Sequence, residues 1–177
     1  RMENLLIHSS TETPLGLFQM LFEEGRLIYA GFGNPLSRDT RLPAILRKRL
    51  ESSRIGPDEV NTSVKSVKTT ENQIRSYFAG KRYAFDVPLK LYGSPFQLAV
   101  WGYLLGIEGG DTCTYGQVAA GSGHPRAVRA VGSAVGSNPI SIIVPCHRVV
   151  PASGGIGNYG GGADRKAFLL QLEQGEC

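Results

Sequence analysis

Short apolar runs separated by turn residues mark the first third of the chain as strands. Residues 4–8, 15–23 and 26–32 fit that pattern, and the last two flank Glu24-Gly25, a pair suited to an antiparallel hairpin. Residues 42–51 have helical spacing, and 56–66 read as loop. Thr70-Glu71-Asn72-Gln73 has the form of a capping box, which predicts a helix reaching Tyr77 or Phe78 and stopped by Gly80. Residues 83–89 read as a further strand. Residues 90–93 then divide the chain into an N-terminal part, 1–90, and a C-terminal part, 91–177.

The second part opens as helix. Ser94 caps it and Pro95 suits its first position. Phe96, Val100, Tyr103, Leu104 and Ile107 share one stripe, with Trp101 beside it and Gly109-Gly110 as the end. Thr114-Tyr115-Gly116-Gln117 is another capping box, opening a helix to about Ala120. After the turn 121–124, Pro125 starts a helix to about Val135, ended by Gly136. Two short helices joined by a four-residue Gly turn form a helix-turn-helix pattern. The second is small-sided: Ala127, Ala130, Gly132, Ser133, Ala134 and Gly136 allow close backbone approach, either to a minor groove or to a packed interior. Residues 140–144 read as a buried strand ended by Pro145. Residues 153–162 form a Gly-rich loop. Asp164 is expected to cap a last helix with Leu169, Leu170 and Leu172 inward. The pattern is α+β throughout.

Composition narrows the class. At 177 residues, 41% hydrophobic and with a net charge of +4, the chain has the makings of a globular core. Its apolar runs fall far short of the ~20 residues of a membrane span, and Arg1-Met2-Glu3-Asn4 does not open a signal peptide. Charge distribution says more than the total. No Asp or Glu lies between Asp111 and Asp164, a stretch holding Arg126, Arg129, Arg148 and eleven glycines. Such a segment does not repel phosphates. The run Arg47-Lys48-Arg49 reads as a solvated helix face.

The candidate chemistry is cysteine chemistry. Cys113, Cys146 and Cys177 are odd in number and widely spaced, which argues against a disulfide framework and for a reducing compartment. With His8, His124 and His147 they show no zinc-binding spacing. Cys146 alone has basic neighbours, in Val144-Pro145-Cys146-His147-Arg148-Val149. A thiol reacts as its thiolate, and an adjacent imidazole favours that form. On an extended strand the two side chains point to opposite faces, so contact needs a bend at Pro145 or a bridging water. A third group is needed to orient the base, and the acid-free stretch leaves Glu173, or Asp164, to supply it. The residues alone equally allow Cys146 to be a small buried hydrophobe.

Pro145-Cys146-His147-Arg148-Val149 resembles the active-site signature of the O6-alkylguanine-DNA alkyltransferases. Phe96-Gln97, Val100-Trp101, Thr114-Tyr115-Gly116, residues 126–132, Asn138-Pro139, residues 158–161 and residues 170–173 follow in that family's order and spacing. The resemblance is strong over 93–173. It implies an N-terminal α/β domain with a small antiparallel, RNase H-like sheet, and a C-terminal winged helix-turn-helix-like domain carrying the cysteine. It further implies irreversible, single-turnover transfer of an alkyl group from O6-alkylguanine, and from O4-alkylthymine, in duplex DNA to Cys146. By the same resemblance His147 is the base, acting through a water, with Glu173 holding it. Asn138 ties the helix-turn-helix to the active-site strand, and Tyr115 crowds the 3′ phosphate to drive nucleotide rotation. Arg129 fills the vacated stack. Arg126, Ala127, Ala130, Gly132 and Ser133 lie against the minor groove. Tyr159, Val149, Gly157, Asn158, Gly160 and Ser141 line the base pocket.

The same resemblance implies no cofactor and no metal, a monomer that binds DNA with possible neighbour-to-neighbour cooperativity, and a cytoplasmic location (nuclear in a eukaryote). Three departures stand out. Glu108-Gly109 replaces Ile-Pro, Gly160 replaces a serine of some members, and Ser141 replaces a proline of others. Two competing readings are a thiol hydrolase using Cys146 and His147, and an alkyltransferase-like protein that binds lesions without transfer. The second normally lacks the cysteine.

Overall fold

Glu24 and Gly25 both take positive φ, 50° and 79°, and so form the tight primed turn that the flanking twist of two strands favours. They join β2 (Gly16–Glu23) to β3 (Arg26–Gly31). With β1 (Leu5–Thr13) and β4 (Arg54–Gly56) these make a four-stranded sheet in the order β3-β2-β1-β4. The computed structural model describes residues 5–56 and 64–175. Asn4, Cys177 and residues 57–63 of the expected loop lie outside the described residues.

β1 runs on to Thr13, well past the expected end at residue 8. Its second half is polar, which hid it. Ser9 and Thr11 are nonetheless buried, and the Ser9 hydroxyl donates to Glu71. The sheet is mixed: β1 pairs antiparallel with β2, but β4, which the pattern did not predict, joins β1 in parallel. Alternation then sorts the sheet's two faces. Leu6, Leu21, Ile28 and Tyr29 pack against Leu46 and Leu50 of α1 (Ala44–Glu51). Phe18, Met20 and Phe22 face the other way, into a core shared with α2 (Val64–Phe78) and with the C-terminal half.

α2 begins before the Thr70 motif, not after it. Thr70 is buried inside the helix and its hydroxyl donates 2.7 Å to the carbonyl of Ser66, so the motif caps nothing. Residues 83–89 are extended but unpaired apart from a bridge between Leu89 and Leu27.

In the C-terminal half, α3 (Pro95–Leu104) and α4 (Tyr115–Gly121) start with reciprocal capping boxes, Ser94 with Gln97 and Thr114 with Gln117. α3 ends earlier than expected, before Leu105. α5 (Val128–Gly136) starts at Val128, since residues 125–127 complete the turn. The Trp101 indole donates 2.9 Å to the carbonyl of Ala134 and locks α3 to α5. β5 (Cys113–Thr114) and β6 (Val149–Val150), neither of them predicted, pair in parallel beside the helices. α6 (Ala163–Glu173) starts after Gly162. Asp164 sits in its first turn rather than at the cap, and of the three leucines Leu169 and Leu172 are buried.

One junction positions the site. The register of β3 against β2 skips Ile28, and this bulge lets both Leu27 and Ala30 present backbone groups at the sheet edge. Leu27 bonds residues 88 and 90. Ala30 accepts from Ser141 N at 2.8 Å and donates to Pro139 O at 3.0 Å. The segment just before Cys146 is thus pinned to the sheet.

Candidate active site

Residues 140–144 are a turn, not the expected strand. Asn138, two residues after α5 ends, makes the turn. Its amide donates to Val144 O at 2.8 Å and its carbonyl accepts from Ile140 N at 3.0 Å. Within it, buried Ile142 takes a φ of 71°, a conformation that costs a β-branched residue ~1–3 kcal/mol. Cys146, His147 and Arg148 follow as one turn of 3-10 helix. With three residues per turn, successive side chains diverge by about a third of a circle rather than facing opposite ways. This is how one short segment aims a thiol outward and an imidazole inward.

The thiol of Cys146 reaches a cavity of about 860 Å³. Tyr115, Gly132, Asn138, Ser141 and Tyr159 line it, along with Gly157, Asn158 and Gly160 of the Gly-rich loop. Val149 does not line it. Val149 is fully buried in β6, and its carbonyl accepts 2.6 Å from Lys166 Nζ. Burial pushes the Cys146 thiol up, while the Asn138 amide, the Lys166 charge and nearby backbone N–H groups pull the other way; the net direction is up. The phenol of Tyr159 is buried with no hydrogen-bond partner among the described residues, and burial raises its pKa.

Behind the thiol lies a buried relay. His147 Nε2 is 2.7 Å from Glu173 Oε2, and both side chains are essentially inaccessible. Burial pushes His147 down against the pull of Glu173, so the imidazole is neutral at pH 7. Its Nδ1 is buried without a partner among the described residues. Burial alone would raise Glu173, but hydrogen bonds from His147 and Arg148, the charge that His147 takes up in acid and a bond from Tyr77 hold it down at about 2. Arg148 belongs to this interior. Its Nε donates 2.7 Å to Glu173 Oε1, and its other nitrogens reach the carbonyls of Ile107 and Tyr83. It is therefore neutralised, although its own stretch of the sequence holds no carboxylate.

Arg126 and Arg129 differ: both are exposed, and neither meets a carboxylate among the described residues. Ala130 and Ser133 share their exposed surface, Ala127 is half-buried, and Gly132 lies against the ring of Tyr115. Ser133 has a partner already: Arg41 donates 3.0 Å to both its carbonyl and its hydroxyl.

Pattern reading missed Lys166, Tyr77 and Arg41. Lys166 had a signal, since it shares a helical stripe with Leu169 and Glu173 at i+3 and i+7. Tyr77 and Arg41 come from the other half of the chain and left none. Among the described residues no group of three or more His, Cys, Asp or Glu side chains is placed to hold a metal ion.

Comparison with known proteins fits this geometry. The family model for the 6-O-methylguanine DNA methyltransferase DNA-binding domain matches residues 95–175. A methylated-DNA–protein-cysteine methyltransferase of Methanosarcina acetivorans is 39% identical over 166 residues, covering 94% of this chain and 96% of that one. The protein of the same name in Mycobacterium bovis is 54% identical over 103 residues; this covers 58% of the chain, which thereby spans 62% of that relative's length. Crystal structures of Mycobacterium tuberculosis O6-methylguanine methyltransferase, and of OGT in complex with DNA, superimpose with TM-scores of 0.79 and 0.80 at 35% and 37% identity. Each comparison covers 97% of this chain and 94% of the other. The chain belongs to the methylated-DNA–protein-cysteine methyltransferase family.

Proposed function

We propose that the protein repairs alkylated DNA by moving an alkyl group from guanine O6 to Cys146, once per molecule, with O4-alkylthymine as a further substrate. The observation that carries this is the Cys146 thiol lining a cavity large enough to admit a base, in front of a buried His147–Glu173 pair. Neutral His147 takes the thiol proton at its unpartnered Nδ1 through one water. The sulfur attacks the alkyl carbon, an S–C bond forms and the C–O6 bond breaks. The electron pair stays on the purine, which Tyr159, whose hydroxyl has no partner among the described residues, stabilises by donating to it. The thioether has no route to hydrolysis, so each molecule acts once.

A base stacked in a duplex is out of reach of this thiol, so the nucleotide must rotate out. The small exposed face of α5 suits close approach to a minor groove, with Arg129 entering the stack, Arg126 near phosphate and Tyr115 at the mouth of the cavity. We read the C-terminal half (91–177) as a winged helix-turn-helix-like unit and the N-terminal half (1–90) as RNase H-like. We further read the protein as a monomer that binds duplex DNA, in the cytoplasm or nucleus.

The test is to incubate the protein with duplex DNA holding one O6-methylguanine and weigh its proteolytic peptides. One methyl on the peptide containing Cys146, saturating at one per protein, is expected. Turnover beyond one equivalent favours a hydrolase-like enzyme, and methylation of Cys113 or Cys177 overturns the assignment.

A further inference from the structure

Glu173 Oε2 accepts a hydrogen bond from Tyr77 Oη at 2.7 Å, on the same oxygen that faces His147 Nε2 at 2.7 Å and Arg148 Nη2 at 3.0 Å. Tyr77 is fully buried near the end of α2, in the N-terminal half, and reaches across the core to a residue ninety-six positions away in sequence. Its ring is wedged edge-on against Phe78 and Tyr83 and tilted against Phe85, so its hydroxyl has one direction to point. We infer that Tyr77 is a positioning residue for alkyl transfer: by sharing Oε2 with His147 it fixes the carboxylate and weakens its hold on the imidazole proton, keeping His147 neutral and able to act as base. This inference rests on the alkyl-transfer reading above.

The charge balance around the imidazole supports it. Glu173 and Lys166 approach from α6, Arg148 and Cys146 from the same 3-10 turn, and Tyr77 from α2. Tyr159 of the pocket loop also faces Cys146 and Glu173, while Tyr83 offers its carbonyl to Arg148 and its phenol to Leu172 O. Of these, Glu173 is the anion that favours protonated His147, and every donor on Oε2 tempers that pull. Tyr77 is the neutral donor among them. Its phenol, raised by burial and by the carboxylate, keeps its proton throughout the working range.

The test is the pH dependence of methyl transfer from duplex O6-methylguanine DNA by the whole protein. Tyr77→Phe keeps the ring in its aromatic cluster and deletes only the donor. The acid limb of the rate profile should move to higher pH by about half a unit or more, slowing transfer about threefold on that limb. Placing 3-fluorotyrosine at position 77 keeps ring and hydroxyl but strengthens the donor, and should move the same limb to lower pH. It also carries the test in a folded protein if the phenylalanine variant unfolds. Shifts of opposite sign support the inference. Coincident profiles, or a uniform loss of rate without a shift, overturn it while leaving the transfer reading intact. Failure of the unsubstituted protein to accept a methyl group overturns that reading and the inference with it.

Discussion

Lys166 Nζ donates 2.6 Å to the carbonyl of Val149 and 3.1 Å to that of Asn158, joining the strand that follows the thiol to the loop that closes the cavity over it. The ammonium is fully buried, and no carboxylate partners it among the described residues. Burial lowers its pKa, and its charge in turn favours the thiolate of Cys146. Lys166→Met keeps the stem and deletes both bonds, leaving the buried carbonyl of Val149 unsatisfied, while that of exposed Asn158 can turn to solvent. Denaturant unfolding should show a loss of about 1–3 kcal/mol. In the folded fraction, the thiol should react with an alkylating probe only at higher pH.

Tyr159 makes the opposite case. Its hydroxyl is buried and unpartnered among the described residues, so the native protein loses nothing when it is removed. Tyr159→Phe should therefore unfold at the same denaturant concentration as the parent, or slightly higher. Methyl transfer should nevertheless slow by about a hundredfold or more, the scale of one lost donor at a developing negative charge. Equal rates for the two proteins would remove Tyr159 from the chemistry.

Gly121 reads from sequence as a turn glycine, but its φ is not positive; its reason is packing. A Cβ there would sit 2.1 Å from the ring of Tyr103. Gly121→Ala should drive α4 off α3 and cost roughly 1–3 kcal/mol, read as a drop in Tm. Gly123→Ala, two residues on, meets open space but carries a φ of 87°, so it tests backbone strain at the same turn without a clash.

The hairpin at Glu24-Gly25, both helix caps at Ser94 and Thr114, and the helix-turn-helix pattern were legible because each rests on local chemistry. Cys146, His147 and Glu173 could be nominated because one thiol alone has basic neighbours and one stretch lacks acids. The polar half of β1 was not legible because it has no apolar run to mark it, and strand β4 was not because its partner β1 is distant in sequence. The Thr70 motif misled because its hydroxyl bonds back into its own helix. Residues 140–144 are as apolar as a buried strand, and only Asn138 and the pin on Ala30 fold them into a turn. The pairing of Arg148 was not legible because the carboxylate that neutralises it lies twenty-five residues away, outside the acid-free stretch.

The same carboxylate sets an acid limit on stability. His147 is held below its ordinary 6.5 by burial, so unfolding takes up a proton once pH falls below that value, and stability starts to decline there. Glu173, held at about 2 against an ordinary 4.5, contributes stability that is complete above 4.5 and lost as pH falls from there toward 2. Denaturation midpoints should thus fall in two stages on acidification. Glu173→Gln should abolish the lower stage and, by leaving Arg148 buried without its counter-charge, cost about 3–5 kcal/mol at neutral pH.

Substitution of Arg129 tests nucleotide rotation apart from chemistry. It is exposed on α5, has no carboxylate partner among the described residues and does not line the cavity, so its loss should leave both folding and the reactivity of the thiol unchanged. If it fills the gap left by the rotated nucleotide, Arg129→Ala should slow methyl transfer from duplex DNA by tenfold or more, consistent with an unstacking cost of a few kcal/mol that is no longer offset. Transfer from free O6-methylguanine base, which needs no rotation, should be unaffected. Duplex binding should weaken with salt for both proteins. The variant's slope should be shallower only if the guanidinium also contacts phosphate, which Arg126→Ala tests separately. Equal slowing on duplex and free base would assign Arg129 to the cavity instead.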